Sequence, residues 1–143
     1  MDDLTRSPVT ASDAALQATL LEAALPIDDL GTSEGRYFRF DRNGVLAGFG
    51  GFEPYGPDAL LRSVVVVPQM RGTGTGRAIA GALLSEMRQA GIQDAYLLTT
   101  TAEGFFTRLG FAEIERKHAP ARILATPQAA TICNSAPLLS KRL

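Results

Sequence analysis

A mixed α/β domain of the α+β type follows from three features of the chain. Its 143 residues suit one domain of roughly 100–200 residues and are too few for two. Strand-like and helix-like segments alternate with no internal repeat and no Ser/Gly-rich or charged linker. A β-branched run also passes through a glycine-rich turn into an amphipathic helix, the join of a strand–helix–strand crossover. Residues 1–143 are therefore read as a single domain.

Thr10 or Ser12 is placed to cap a helix whose Ala15, Leu16, Leu20, Ala23 and Ala24 recur at helical spacing until Pro26. Ile27 to Leu30 has room for a short turn. Arg36–Phe40 and Val45–Phe52 read as strands joined by Asp41-Arg42-Asn43-Gly44, the residue types a hairpin turn prefers. Gly48, Gly50 and Gly51 thin the second of them. After a turn over Glu53–Asp58, the segment Ala59–Val67 forms a strand ending at Pro68, and its Val64–Val67 quartet predicts burial on both faces. Gly72 to Gly76 opens a helix reaching Ala90, with Ile79, Leu83 and Met87 on one face and Gly91 as its stop. Ala95–Thr100 is a strand, Glu103–Leu109 a short helix closed by Gly110, and Phe111–Ile114 another strand. Pro120, Pro127 and Pro137 break the tail into turns before a last strand near Leu138–Lys141.

Composition narrows the partners. Apolar residues at 45% and charged residues at 20% argue against disorder, and 14 Lys plus Arg against 15 Asp plus Glu leave a net charge of −1. No positive field is available for a nucleic acid or an anionic membrane. Cys133 and His118 are the sole residues of their types, which excludes an intrachain disulfide and a Cys/His zinc site, so no metal is expected. His118 beside Arg116 and Lys117 reads as exposed, and Cys133 as buried filler. An acidic Met1-Asp2-Asp3 start and the lack of an apolar run near 18 residues predict a soluble, cytoplasmic protein.

The segment from Val64 to Arg77, Val-Val-Val-Val-Pro-Gln-Met-Arg-Gly-Thr-Gly-Thr-Gly-Arg, holds the chemistry. It presents unpaired backbone N–H groups and the positive end of a helix dipole, the requirements of a phosphate or pyrophosphate. A triphosphate loop would need Gly-Lys-Ser/Thr, yet no lysine precedes Lys117. A dinucleotide fold would need G-x-G-x-x-G after its first strand, whereas G-x-G-x-G stands here after several. A plain turn leaves three glycines between Arg71 and Arg77 unexplained.

Arg71-Gly72-Thr73-Gly74-Thr75-Gly76 resembles the Arg/Gln-x-x-Gly-x-Gly/Ala block of the GNAT superfamily of acyl-CoA N-acyltransferases, and Phe105-Phe106-Thr107-Arg108-Leu109-Gly110-Phe111 resembles its Phe-Tyr-x-x-x-Gly-Phe block. The resemblance covers residues 4–143. Leu60-Leu61-Arg62-Ser63, Leu97 to Glu103 and the tail from Ala119 look like the small acetyltransferases found alongside arsenic-resistance determinants.

The resemblance implies a central twisted mixed sheet of about six or seven strands flanked by about four helices, with acetyl-CoA at a splay between the two central strands. It implies acetyl-CoA as co-substrate, its pyrophosphate on Arg71, Gly72, Thr73, Gly74, Thr75, Gly76 and Arg77, and its pantetheine beside Val64, Val65 and Val66. A primary amine on a small-molecule acceptor would attack the thioester directly while backbone amides polarise the carbonyl. Phe106 stands where the family carries a tyrosine that protonates the leaving thiolate, and a phenyl ring has no proton to give.

Glu53, Ser63 and Tyr55 are the remaining candidates for proton transfer, though Glu53 also fits a solvated turn carboxylate and the two hydroxyls also fit satisfied strand-edge groups. Arg36 and Arg62, with Arg39, border the expected acceptor cleft. They could fork a carboxylate, phosphonate or arsenic oxyanion group, or pair with Asp41 and Glu53. Asp28, Asp29 and Glu34 lie in a segment that often closes over the acceptor in this family. Leu138-Leu139 suits either a core or a homodimer interface of the kind family members often form. The alternative to an enzyme is a non-catalytic acyl-CoA-binding sensor.

Overall fold

The computed structural model describes residues 4–32, 35–132 and 135–143. Seven strands form one sheet: β1 (Leu4–Val9), β2 (Arg36–Arg42), β3 (Val45–Tyr55), β4 (Asp58–Val66), β5 (Asp94–Leu98), β6 (Ala112–Ile114) and β7 (Leu138–Arg142). Their spatial order is β1-β2-β3-β4-β5-β7-β6. β4 and β5 are parallel and every other neighbouring pair is antiparallel, so the sheet is mixed as predicted. The helices are α1 (Ala14–Glu22), α2 (Thr75–Gln89), α3 (Glu103–Arg108) and the single turn α4 (Ala121–Leu124). No helix among the described residues is long and apolar enough to cross a membrane.

The core strands and α2 lie where the hydrophobic pattern placed them, and the differences have local causes. β1 was not foreseen because Pro8 and four consecutive exposed residues, Thr5 to Pro8, hide its pattern; those are properties of an edge strand that pairs on one side. Asp13, rather than Thr10 or Ser12, caps α1, its Oδ1 accepting from the Leu16 amide at 2.9 Å. The β2–β3 hairpin closes on Asn43 and Gly44, both at positive φ, the geometry that suits the strand twist. β3 continues through Glu53 to Tyr55, so Glu53 belongs to a strand and not to a turn.

α2 lies directly on β3, which explains the thinning of that strand. A Cβ at Gly50 would lie 2.4 Å from Leu83 Cδ1, and one at Gly48 would lie 2.1 Å from the Val65 carbonyl oxygen and 2.8 Å from Ile79 Cδ1. Ile79, Leu83 and Met87 are buried in the core cluster with Phe40 and Phe52. On the opposite face Leu16 and Leu20 of α1 pack with Tyr37, Phe49 and Val65.

β4 carries an irregularity that sets up everything beside it. Phe49 pairs with Val65 while Gly51 pairs with Arg62, so β4 advances three residues where β3 advances two. The surplus residue is a β-bulge, and Ser63 within it adopts φ +60°. Before the bulge Leu61 faces α2; after it Val64 and Val66 face α2 and Val65 faces α1. The valine run therefore keeps its in-out alternation with shifted phase. Val64 and Val66 are only half-buried, because beside their contact with the α2 cluster they also border the open space of a cleft.

Gly48→Ala is expected to lower the unfolding free energy by about 3 kcal/mol or more, because the added methyl meets a backbone carbonyl that cannot rotate away. Gly81→Ala, at an exposed position of α2 with nothing within 4 Å of the new Cβ, is expected to raise it by about 0.5–1 kcal/mol. Equilibrium urea unfolding of the two variants checks both signs.

Candidate active site

β4 and β5 pair only at Asp58–Asp94, Ala59–Ala95 and Leu60–Tyr96. Beyond Leu60 the strands diverge, and the wedge between them opens into a cleft of about 650 Å³. One wall is Leu61 and Ser63 to Val66 of β4; the other is Leu97 to Ala102, which ends β5 and leads into α3. Ala23 to Pro26, after α1, and Gln128, Ser135 and Ala136 of the tail line the rest. Along this stretch the β5-facing edge of β4 has no strand partner among the described residues. Its backbone groups are open to a ligand that can play the part of a strand.

The glycine loop stands at the wide end. Gly72 and Gly74 have φ of +78° and +81°. A Cβ at either would meet nothing within 4 Å, so the left-handed backbone and not crowding calls for glycine there. Gly74 occupies the N-cap of α2 without a side-chain cap. The amides of Thr75, Gly76 and Arg77 are thus first-turn donors that no helix carbonyl reaches. Thr73 Oγ1 bonds to the Met70 carbonyl and lies 2.8 Å from Thr75 Oγ1, which fixes the loop from within. Arg71 lines the cleft and its Nε donates to the Val66 carbonyl at 3.1 Å, tying the loop to the end of β4. Arg77 is exposed on the first turn of α2. The loop as built is a dipole-backed anion site with arginines at both ends.

Beneath the β4 wall lies a buried ionic cluster. The Arg62 guanidinium is fully buried. Its Nη1 and Nη2 donate to the Asp29 carboxylate, Nη2 to Oδ1 at 2.8 Å; Nη1 also donates to Glu53 Oε2 at 2.7 Å, and Nε donates to Ser63 Oγ at 3.1 Å. Tyr55 donates its hydroxyl to Glu53 Oε1. Burial works to lower the pKa of Arg62, but its hydrogen bonds to Asp29 and Glu53 and the negative charge of Asp29 outweigh it and hold the guanidinium above its ordinary value. Burial first, then the hydrogen bond to Glu53, raise the Tyr55 phenol well above its ordinary value, so it remains a donor.

The predicted residues therefore divide. Glu53, Tyr55, Ser63 and Arg62 come together in one network, but Ser63 alone of these lines the cleft. Glu53 is 1% exposed and not a solvated turn carboxylate. Arg36 and Arg62 fall on opposite faces of the sheet: Arg36 lies 5.8 Å from the ring centre of Phe52 on the α2 side, Arg62 6.0 Å from that of Tyr37 on the α1 side. Arg39 pairs with Asp41 at 3.0 Å. Phe106 lines the cleft and makes edge contacts with Phe105 at 5.0 Å and Phe111 at 5.8 Å, an apolar wall without a hydroxyl. Asp29, expected in a segment that closes over the acceptor, is a buried partner of Arg62; the signal was an arginine inside a strand too apolar to solvate it. Asp28 and His118 are exposed, while Glu34 and Cys133 lie outside the described residues.

Comparison with known proteins identifies the family and the fold. A family model described as the acetyltransferase (GNAT) family matches residues 3–111. An uncharacterized N-acetyltransferase of Chlorobaculum tepidum is 32% identical over 65 residues, 46% of this chain and 41% of the relative. The amino-acid acetyltransferase of Mycobacterium tuberculosis is 46% identical over 55 residues, 38% of this chain and 31% of the relative. The chain thus matches less than half the length of either curated relative. Among solved structures, N-acetylglutamate synthase of Neisseria gonorrhoeae, complexed with coenzyme A and L-arginine, superposes with a TM-score of 0.78 at 15% identity. That match covers 100% of this chain and 34% of the synthase, and it shows a shared fold.

Asp29→Ala would leave the buried Arg62 charge with one carboxylate partner, and the expected loss of stability is about 3–5 kcal/mol. Arg39→Ala removes a half-exposed pair and is expected to change stability by less than about 1 kcal/mol. Thermal and urea unfolding of both variants provide the comparison.

Proposed function

The chain belongs to the acetyltransferase (GNAT) family, and from that membership we propose that it transfers acetyl from acetyl-CoA to the primary amine of a small molecule. The observation that carries this reading is the splay of β4 from β5 beside an anion-binding helix start. One continuous cleft offers phosphate donors at its wide end and an unpaired strand edge leading inward.

In this reading the pyrophosphate takes the amides of Thr75, Gly76 and Arg77, with Arg71 and Arg77 neutralising its charge. Pantetheine runs along Val66, Val65 and Val64 as an added strand and delivers the thioester to the narrow end, against Phe106. The amine nitrogen attacks the carbonyl carbon, and collapse of the tetrahedral intermediate expels the CoA thiolate. No carboxylate lines the cleft among the described residues. The attacking amine therefore sheds its proton to solvent, and Glu53 serves to hold Arg62 and Tyr55 in place.

The acceptor is proposed to be amino-acid-like. The support is the amino-acid acetyltransferase among the relatives and the polar part of the cleft lining, where Thr99, Thr100, Thr101 and Gln128 offer uncharged hydrogen-bonding groups. An arsenic- or phosphorus-bearing amine is the narrower case within that class, supported by the resemblance of Leu60–Ser63 and Leu97–Glu103 to the resistance-associated enzymes.

The test is release of CoA thiol from acetyl-CoA across a panel of amino acids, polyamines, aminoglycosides and amino-phosphonate or amino-arsenic compounds, with binding of acetyl-CoA measured by calorimetry. Turnover is expected with at least one amino-acid-like acceptor. Gly74→Asp puts a carboxylate at the anion site and leaves a non-glycine residue at φ +81°, a conformation that aspartate tolerates better than most residues at a cost of about 1 kcal/mol; with folding checked by urea unfolding, acetyl-CoA binding is expected to weaken at least about tenfold. Tight binding with no acceptor consumed would instead favour the sensor reading, for which the missing hydroxyl at Phe106 is the supporting observation. Undiminished binding by Gly74→Asp would remove the loop from the site.

A further inference from the structure

We propose that the Ser63 hydroxyl donates a hydrogen bond to the carbonyl oxygen of the bound acyl thioester, and that Arg62 is the residue that positions and polarises it. The proposal rests on the acetyl-transfer reading above and adds to it a side chain acting on the reacting atoms.

The first ground is location. The last β4–β5 pair is Leu60–Tyr96, and Ser63 lines the cleft just beyond that apex. A ligand with its phosphates at the start of α2 and its chain along Val66, Val65 and Val64 reaches Ser63 with its far, acyl end. The second ground is conformation. Ser63 holds φ +60° although it is neither Gly, Asn nor Asp, the residues that tolerate this region best. Strained backbone of this kind persists where the surroundings enforce it and clusters where side chains must be aimed.

The third ground is hydrogen-bond accounting. A serine hydroxyl has one proton to give and two lone pairs to offer. Arg62 Nε occupies one lone pair at 3.1 Å, and this is the one bond made by the Ser63 side chain among the described residues. Its proton is therefore free to serve the cleft. Arg62 cannot swing away, because Asp29 and Glu53 hold its two terminal nitrogens and Tyr55 in turn holds Glu53. A fixed cationic N–H directed at Oγ draws electron density from the hydroxyl and strengthens it as a donor.

The electron balance is simple. As the amine nitrogen forms the C–N bond, the carbonyl π electrons move onto oxygen, where the Ser63 O–H meets the growing negative charge. When the carbonyl re-forms, the C–S bond breaks, the electron pair leaves on the CoA sulfur, and the proton of the acceptor nitrogen passes to water. Ser63 neither loses nor gains a proton. Its action on oxygen is compatible with Phe106, which supplies nothing to the sulfur.

The bound thioester reports this bond without an acceptor. Acetyl-CoA labelled with ¹³C at the carbonyl is bound to the wild type, Ser63→Ala and Ser63→Gly, and its carbonyl stretch is read by infrared difference spectroscopy. The wild type is expected to shift the band to lower frequency than in free acetyl-CoA, and both variants to return it toward the free value while binding acetyl-CoA within about threefold of wild type. Ser63→Gly relieves the positive φ, so it folds even if Ser63→Ala does not. With an acceptor in hand, both variants are expected to lose about 10²–10³-fold in kcat. Arg62→Lys, which keeps the charge without the fork, is expected to lose the band shift also. A band unchanged in both serine variants, or a shift retained in Ser63→Gly, would overturn the role of Ser63. A retained shift in Arg62→Lys would overturn that of Arg62. Failure of the wild type to bind acetyl-CoA would overturn the transferase reading itself.

Discussion

Between Phe49 and Gly51, β3 takes two steps while β4 takes three, and the cleft exists because the surplus residue has nowhere to go within the sheet. A bulge bends its strand and increases the local twist, so β4 follows β3 and leaves β5 after only three pairs. The separation exposes a stretch of strand edge inside the molecule, where backbone donors and acceptors would ordinarily be costly to leave unpaired. In the proposed function a strand-like ligand satisfies them. The same bulge shifts the phase of the valine run, so Val64 and Val66 line the opening from the α2 side while Val65 anchors the strand on the α1 side.

Holding such a bend takes a rigid support, and the Arg62 cluster supplies it. A guanidinium with no solvent contact is tolerable only when its donors are matched. Here three nitrogens find Asp29, Glu53 and Ser63. The partners come from different parts of the chain: Glu53 from β3, Ser63 from the bulge, and Asp29 from the segment joining α1 to β2. That segment begins with Ala23 to Pro26, which line the cleft. The ion pair between Asp29 and Arg62 therefore clamps one rim of the cleft to the strand that forms its opposite wall. A hydrophobic replacement could match the cluster in stability, but it could not fix the orientation of three elements with directional bonds.

These two features differ in how far they can be read from sequence. The glycine loop is legible because Gly72 and Gly74 are demanded by φ, a local constraint that spacing records. α2 and the strands on which it packs are legible because Ile79, Leu83 and Met87 repeat with the helical period over an uninterrupted stretch. The bulge is not, since Ser63 is neither glycine nor asparagine and its conformation is enforced by partners far along the chain. Asp29 is 33 residues from Arg62, and no local pattern links them. Glu53 falls in the expected turn for a related reason: Pro54 and Gly56 make that turn look longer than it is, while β3 runs on to Tyr55. β1 escaped because an edge strand facing solvent has no alternation to display.

Donor and acceptor ends of the cleft are built on different principles. In the proposed function the donor end uses main-chain amides, a helix dipole and a strand edge, which any sequence with the right backbone presents, and all of it lies within the family match to residues 3–111. The proposed acceptor end draws on Ala23 to Pro26 and Thr99 to Thr101, also within that match, and on the tail residues Gln128, Ser135 and Ala136. The tail residues fall outside that match, in a segment where prolines interrupt regular structure and short turns replace long elements. Arg116 organises this region from within, its Nη1 and Nη2 donating to the Ala129 and Ala136 carbonyls at 2.8 and 2.9 Å. Substitutions in the tail can therefore reshape the space beside Thr99 to Thr101 without touching the loop or the bulge. The proposed function makes acceptor choice and acetyl-CoA binding separable, because it rests the first on side chains held by turns and the second on backbone held by a sheet.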